Sequence, residues 1–297
     1  MRAALLAALL ALGAAQASAQ VGGRLHLTRD SDDFRERIAT LGYTGASGFG
    51  LKTGAAHYAA PGWDADGALL AGTYRREDDA RLLDASLGAF RIDGRTRAVG
   101  ALDVLQKHVG ARSALGLSLE RDIVNSRRGI KDGLTHESVA LVGDHAFGDR
   151  FNVGAAGGAT WFSDHNRRPF LRTRWNLLLD DGWGLNAYLK TRHYRNERPY
   201  RPAYYSPERL GEVSLGLSAR FLAVDKVVLS AHADAGRQRT EDTSQTIWSY
   251  AVGVGAPRDR RVQWNVALQA TNTASTGTSA SGAYRYTSLV AQLRVPF

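Results

Sequence analysis

Ser230, His232 and Asp234 hold the residue types of a hydrolase triad at every second position of one segment. In a working triad, neighbouring members lie within about 2.6–3.2 Å of each other. Residues two positions apart in a strand are separated by about 6.8 Å, so this spacing does not support a proton relay. His232 and Asp234 alone are also too few to hold a zinc ion. We therefore predict that the chain is not an enzyme and carries no metal and no cofactor.

A second group of side chains suits solute binding rather than catalysis. Cationic and tyrosine side chains recur at every second position of two neighbouring segments and once more in the next: Arg172, Arg174, Tyr188, Lys190, Arg192, Tyr194 and Arg220. Guanidinium groups bind anions and stack on planar groups. The pattern predicts a path for anionic or sugar-like solutes. Pairing of these cations with carboxylates across strands explains it equally well.

The segment from Asn196 to Arg209 contains three of the chain's seven prolines and three tyrosines. Proline restricts its own backbone and that of the residue before it, which predicts a stiff loop. Because tyrosine can stack on sugar rings, we expect loop contacts with carbohydrate from four residues: Tyr200, Tyr204, Tyr205 and Pro207. The alternative is a proline-shaped loop that binds nothing.

The elements that must position these side chains are strands. At the end of the chain, Leu289, Ala291 and Leu293 alternate with polar residues, and Phe297 comes last. Such alternation is typical of a strand with one apolar face. The same pattern predicts sixteen strands, most of them long enough to cross a bilayer at a tilt. The predicted ranges are 23–29, 34–44, 47–58, 66–77, 80–91, 96–105, 110–121, 136–146, 151–162, 168–179, 184–195, 209–222, 226–238, 244–255, 261–272 and 283–297.

The connections between these strands alternate in length. Those after the even-numbered strands are tight, whereas three of the others are long, at about 122–135, 196–208 and 273–282. Short turns on one side and long loops on the other are typical of outer-membrane barrels. We therefore predict an all-β transmembrane antiparallel barrel of about sixteen strands in the outer membrane of a Gram-negative bacterium. An even strand number places both termini on the periplasmic side.

The start of the chain has the features of an export signal. Arg2 precedes an apolar run from Ala3 to Ala15, and Ala17-Ser18-Ala19 offers small residues for cleavage. We predict a signal peptide over residues 1–19 and the barrel domain over residues 20–297. The absence of cysteine excludes disulfide scaffolds and thiolate metal sites. A soluble secreted sandwich is the alternative, but it does not require the alternating connection lengths.

The charged residues suggest what the barrel contacts outside and how its lumen is lined. The formal net charge of +9 could indicate nucleic-acid binding, but in an exported barrel we expect attraction to anionic lipopolysaccharide and outer-membrane lipid instead. Because alternate residues of a strand point to opposite faces, the polar positions of predicted strands 10–12 place a group of basic side chains on the lumenal side. Most inward acids fall on predicted strands 5–8. We expect opposed charge on the two walls to set up a field across the lumen.

The run Tyr204-Tyr205-Ser206-Pro207-Glu208-Arg209-Leu210 leads into a glycine-rich amphipathic strand. It resembles the aromatic-aromatic-Ser-Pro element of exopolysaccharide export barrels, the outer-membrane domains of the poly-N-acetylglucosamine porin and the cellulose synthase C subunit. The resemblance implies a sixteen-stranded barrel for polymer export. Those proteins carry a tetratricopeptide superhelix before the barrel, whereas here Gln20 is followed almost at once by a strand. A separate periplasmic helical-repeat partner is therefore expected. Phe297 resembles the signal read by the barrel-assembly machinery.

These observations lead to three functional hypotheses. The first is a carbohydrate channel of an exopolysaccharide export system. The second is a general or anion-preferring porin, and the third is a non-conducting scaffold barrel.

Overall fold

The computed structural model describes residues 19–107, 112–224, 226–273 and 284–297. Within these ranges, sixteen strands form one closed antiparallel barrel, as predicted. No helix of the described residues is long and apolar enough to cross a membrane. The strands are β1 (Gln20–Asp30), β2 (Arg35–Thr44), β3 (Phe49–Ala60), β4 (Trp63–Glu77), β5 (Arg81–Ile92), β6 (Arg95–Gln106), β7 (Ser113–Ile123), β8 (Thr135–Ala146), β9 (Phe151–Phe162), β10 (Arg167–Asp180), β11 (Leu185–Arg195), β12 (Arg209–Val224), β13 (Val227–Thr240), β14 (Ser244–Gly255), β15 (Gln263–Thr271) and β16 (Tyr286–Pro296).

Several strand ends differ from the predicted ones by up to three residues. β1 begins at Gln20 and β4 at Trp63, three residues earlier than expected. The extra residues complete hydrogen-bonded ladders: Gln20 pairs with both Thr44 and Pro296. The predicted strand starts at 110 and 283, the turn residues 109 and 225, the loop residues 274–282 and the signal-peptide residues 1–18 lie outside the described residues.

The barrel closes where β1 meets β16. The two strands pair from Gln20 opposite Pro296 to Asp30 opposite Tyr286. Closure leaves no strand with an unpaired edge, which a lipid environment requires. Phe297 donates its backbone N–H to the Ala19 carbonyl at 2.8 Å, and its ring lies 6.3 Å from that of Tyr43.

The outer face of the barrel is apolar. Leu87, Leu141 and Leu215 point outward with 75%, 64% and 66% of their surface exposed. Large apolar side chains exposed in this way on many strands form a continuous band, and contact between such a band and water is unfavourable. A lipid bilayer is the environment that matches this band.

Part of the interior is apolar as well, which the alternation rule did not predict. At the long-loop end of β3–β7, Tyr58, Phe90, Ile92 and Ile123 are buried and pack together. Ile130 completes this cluster. It belongs to α1 (Arg127–Asp132), a short helix in the connection between β7 and β8. Because this connection folds over the cluster, apolar side chains are favoured here on the inner face.

Candidate functional site in the barrel lumen

A basic wall faces the lumen on β10 and β11. Arg172 stands opposite Arg192 across this strand pair, and Arg174 stands opposite Lys190. All four line a cavity of about 460 Å³. The alternation of inward and outward residues therefore predicted their orientation. Like charges directly opposite each other are destabilising unless counter-charges lie nearby.

The counter-charges come from the next two strands. Glu212 on β12 accepts two hydrogen bonds from Arg192, at 2.7 Å from Nε and 2.6 Å from Nη2. Asp234 on β13 accepts from Lys190 Nζ at 2.7 Å and from the Tyr188 hydroxyl at 3.0 Å. Cross-strand pairing, the alternative interpretation of the sequence, therefore accounts for two of the four cations. Because these acids adjoin the cations, they reduce the field expected between opposite walls.

Three predicted cations remain accessible in the lumen and make no ion pair with any described residue. Arg174 places Cζ 4.0 Å from the ring centroid of Tyr188. Arg172 places Cζ 5.2 Å from the ring centroid of Phe170. Arg220 lines a separate cavity of about 490 Å³ towards the short-turn end. A solute in the lumen can therefore reach these three guanidinium groups.

The two lumenal tyrosines contact the wall rather than open space. Tyr188 is only 2% exposed, and a Cβ on Gly216 would lie 2.6 Å from its ring. The glycine therefore lets this ring pack directly against β12. Tyr194 lies between two guanidinium groups, with the Cζ atoms of Arg168 and Arg192 at 4.6 Å and 5.9 Å from its ring centroid.

Arg168 is a lumenal residue that the predicted set omits. It lies four positions before Arg172, on the same face of β10, so parity alone identifies it. Its guanidinium donates from Nε to Asn196 Oδ1 at 2.9 Å and from Nη2 to the Tyr205 carbonyl at 2.7 Å. It also lies 4.9 Å from the ring centroid of Phe162. Arg168 thus ties the barrel wall to the loop above it.

The connection of residues 196–208, here called the lumen loop, folds into the barrel. Tyr204 stacks on Phe162 with ring centroids 4.2 Å apart and 10° between the ring planes. Its hydroxyl lies 3.1 Å from both carboxylate oxygens of Asp164. Burial raises the pKa of this hydroxyl, which keeps it protonated as a donor. Tyr204 and Tyr205 are both buried, so in this conformation they anchor the loop instead of offering rings to sugars.

Pro207 closes the base of the lumen loop. Its carbonyl accepts a hydrogen bond from Asn196 Nδ2 at 2.5 Å, and the Asn196 N–H donates to the Glu208 carbonyl at 2.9 Å. Asn196 Oδ1 also accepts from Asn166 Nδ2 at 3.0 Å. Pro207 is buried, so it shapes the loop rather than contacting the surroundings.

The outer side of the lumen loop is held by Glu241, in the turn between β13 and β14. Its carboxylate accepts from the Tyr200 hydroxyl at 2.6 Å and from the N–H groups of Glu208 and Arg209 at 2.9 and 3.0 Å. Burial raises the pKa of Glu241, but these hydrogen bonds outweigh it and hold the pKa at about 2. The hydrogen bond to Glu241 raises the pKa of Tyr200 to about 12. The Tyr200 ring is 65% exposed.

A second connection, residues 124–134, meets the lumen loop over the interior. Ser126 caps α1 by accepting from the Gly129 N–H at 2.9 Å, and its hydroxyl donates to the Ala203 carbonyl of the lumen loop. Asn125 donates to Glu36 on β2. Together, the two connections therefore extend over the long-loop end of the barrel as far as β2. A cavity of about 530 Å³ lies beside them, and one of about 870 Å³ lies at the opposite end.

Ser230, His232 and Asp234 all point inward but form no relay. Asp234 is engaged by Lys190 and Tyr188, and no hydrogen bond joins His232 to either Ser230 or Asp234 in the described part of the chain. Within the same residues, no group of three or more His, Cys, Asp or Glu side chains is arranged to hold a metal.

Solved structures share this architecture. A bacterial polysaccharide outer membrane secretin superposes with a TM-score of 0.75 over 96% of this chain and 100% of its own, at 13% identity. This chain is a barrel of the outer-membrane type. CdiB from Acinetobacter baumannii gives a TM-score of 0.55 at 9% identity, covering 95% of the barrel and 61% of CdiB. No family model matches the sequence, and no curated protein does. The superposition on the polysaccharide secretin confirms the resemblance to export barrels at the level of fold.

Proposed function

We propose that the barrel is a carbohydrate channel of the outer membrane, as part of an exopolysaccharide export system. The observation that carries this proposal is the mixed wall of the lumen, where accessible guanidinium groups alternate with acid–base pairs. Sugars present hydroxyls, and acidic sugars add carboxylates, to which arginine donates in fixed planar geometry. The pairs Lys190–Asp234 and Arg192–Glu212 limit the net charge, so binding stays weak enough for release.

The order of the three arginines without an ion-pair partner among the described residues suggests a route for the glycan. Arg220 stands towards the short-turn end, Arg174 near the middle of β10 and Arg172 one step above it. Conduction requires several sites that bind favourably but not tightly. A glycan entering through the wide cavity at the short-turn end would pass these three guanidinium groups in succession.

The lumen loop stands at the exit of this route. Tyr204 and Tyr205 fill space that a polymer needs, so export includes displacement of this loop. Once it moves, their rings become available for stacking on sugar. A periplasmic helical-repeat partner at the short-turn end would deliver the polymer, and Phe297 would present the last strand to the barrel-assembly machinery.

Single-channel recording in planar bilayers tests the proposal. The protein purified from outer membranes is expected to give open steps that neutral and acidic oligosaccharides block from the short-turn side. The Arg174→Glu variant should weaken block by acidic oligosaccharides about tenfold, while neutral ones lose less, because only the acidic sugars exchange an ion pair for repulsion by the new carboxylate. Steps that no oligosaccharide blocks would favour a general or anion-preferring porin.

A non-conducting scaffold barrel is the second candidate. The meeting of the lumen loop with residues 124–134 over the interior favours it. Folded protein that gives no steps, even after removal of the lumen loop, would support this scaffold function and reject the channel.

A further inference from the structure

Four arginines project outward at the long-loop end of β11–β13. Arg195 stands opposite Arg209, and Gly211 and Val213 stand opposite Arg239 and Arg237. We call Arg195, Arg209, Arg237 and Arg239 the rim cluster. From the strand spacing and the rise per residue, their Cα atoms fit within about 10 by 14 Å. All four side chains are exposed.

Three of the four arginines of the rim cluster have no ion-pair partner in the described part of the chain. Arg209 Nε lies 3.6 Å from Glu208, but Arg195, Arg237 and Arg239 make no ion pair or side-chain hydrogen bond with any described residue. Residues 274–283 contain no acid. Glu241 is nearby, but its carboxylate already accepts from Tyr200 and two backbone N–H groups. Like charges at this density repel each other, so the surface is set up for an anionic ligand.

Other outward arginines of the same rim are either paired or stand on separate strands: Arg37 on β2 and Arg91 on β5 make no ion pair with any described residue, but their strands are not adjacent. Arg121 on β7 contacts Glu137 on β8, and Arg29 on β1 contacts Asp33 at 2.7 Å. The wall formed by β11–β13 differs in density, because three adjacent strands there hold four outward arginines with a single ion pair among the described residues, Arg209–Glu208.

The surface below the rim cluster is apolar. Val213, level with Arg237, is 47% exposed, and Leu215, two residues further from the rim, is 66% exposed. Gly211, between His193 and Arg239, leaves a notch, since a Cβ there would meet only the His193 ring within 4 Å. An anionic group above an apolar strip is the arrangement of a phosphorylated lipid at the membrane boundary.

We propose that the rim cluster binds the phosphate groups of lipopolysaccharide in the outer leaflet, with acyl chains lying on Val213 and Leu215. Arginine is suited to this ligand because its planar fork donates two parallel hydrogen bonds to phosphate. The site is independent of the solute in the lumen, although it shares the expectation that the long-loop end faces outward.

The test measures binding of lipopolysaccharide to the purified protein in micelles containing EDTA, which removes bridging divalent cations. The variant combines Arg195→Gln, Arg237→Gln and Arg239→Gln. The matched control removes three outward arginines of other walls, by Arg37→Gln, Arg91→Gln and Arg121→Gln. We expect the rim variant to bind at least tenfold more weakly and the control to bind within twofold of the unmodified protein.

Two further measurements complete the test. Dephosphorylated lipopolysaccharide should bind the unmodified protein about as weakly as the intact lipid binds the rim variant. Conductance of the rim variant should be unchanged, so failure of this proposal is distinguishable from failure of the channel. Equal losses in the variant and the control, equal binding of the dephosphorylated lipid, or intact binding by a correctly folded rim variant would each overturn the site.

Discussion

The two faces of β11–β13 carry similar numbers of cations but differ in how many of these cations are paired with an acid. Inside, Lys190 and Arg192 are paired with Asp234 and Glu212. Outside, Arg195, Arg237 and Arg239 have no acid partner among the described residues. Side chains two positions apart on one strand share a face, so each strand keeps these two groups separate along its whole length.

The difference follows from the surroundings of each face. The carboxylates of Glu212 and Asp234 are buried, and a buried charge without a partner is costly. The arginines of the rim are exposed, so water can solvate them without a protein partner. Pairing is therefore expected to matter for stability inside the barrel and for ligand binding outside it.

The largest effect is expected from Asp234→Ala. This change leaves Lys190 without its carboxylate and Tyr188 without its acceptor, which should lower the free energy of unfolding by about 2 kcal/mol. Urea unfolding in micelles measures it. Asp234→Asn is the matched control, because it keeps an acceptor oxygen and should lose less. Equal stability of the alanine variant and the unmodified protein would show that the inner pairs are not structural.

The lumen loop spans both faces, since it begins after Arg195 and ends before Arg209. Tyr204→Ala removes the stack on Phe162 and the hydrogen bond to Asp164, so the open time of the channel should rise roughly tenfold. Tyr204→Phe keeps the stack and should give a smaller rise. Identical open times in all three proteins would mean that this loop does not gate the lumen.

Period-two alternation is a local property, and it was sufficient to predict sixteen strands and the inward placement of Arg172, Arg174, Lys190 and Arg192. The burial of Tyr204 was not predictable in the same way. It depends on Phe162 and Asp164, about forty residues earlier in the chain, and no spacing rule connects such positions. The apolar cluster around Tyr58 and Phe90 escaped prediction for a similar reason, because a folded-in connection covers it.

Glu212→Gln tests the charge balance of the inner face. The change frees Arg192 from its bidentate partner, so the permeability ratio of anions to cations should rise roughly twofold. Reversal potentials in a salt gradient measure this ratio. Glu208→Gln, which affects only the rim, should leave the ratio unchanged. A similar shift in both variants would remove the distinction between the faces.

Acid should release the outer side of the lumen loop. The pKa of Glu241 is held at about 2, below its usual 4.5. Its contribution to loop closure is thus complete above about pH 4.5 and is lost as the pH falls through about 2. Open probability should rise over this interval, and Glu241→Gln should abolish that rise. An acid response that persists in this variant would assign it to other carboxylates.

Arg239→Ala should have the smallest effect on stability, within about 0.5 kcal/mol in micelles free of lipopolysaccharide. Removing one of several like charges relieves repulsion, which offsets the lost packing of the side-chain stem. With lipopolysaccharide present, the unmodified protein should be stabilised more than the variant, since a ligand stabilises the folded state that binds it. If Arg239→Ala instead matched the loss caused by Asp234→Ala without lipid, both faces would be structural, and the rim cluster would no longer require a ligand to explain it.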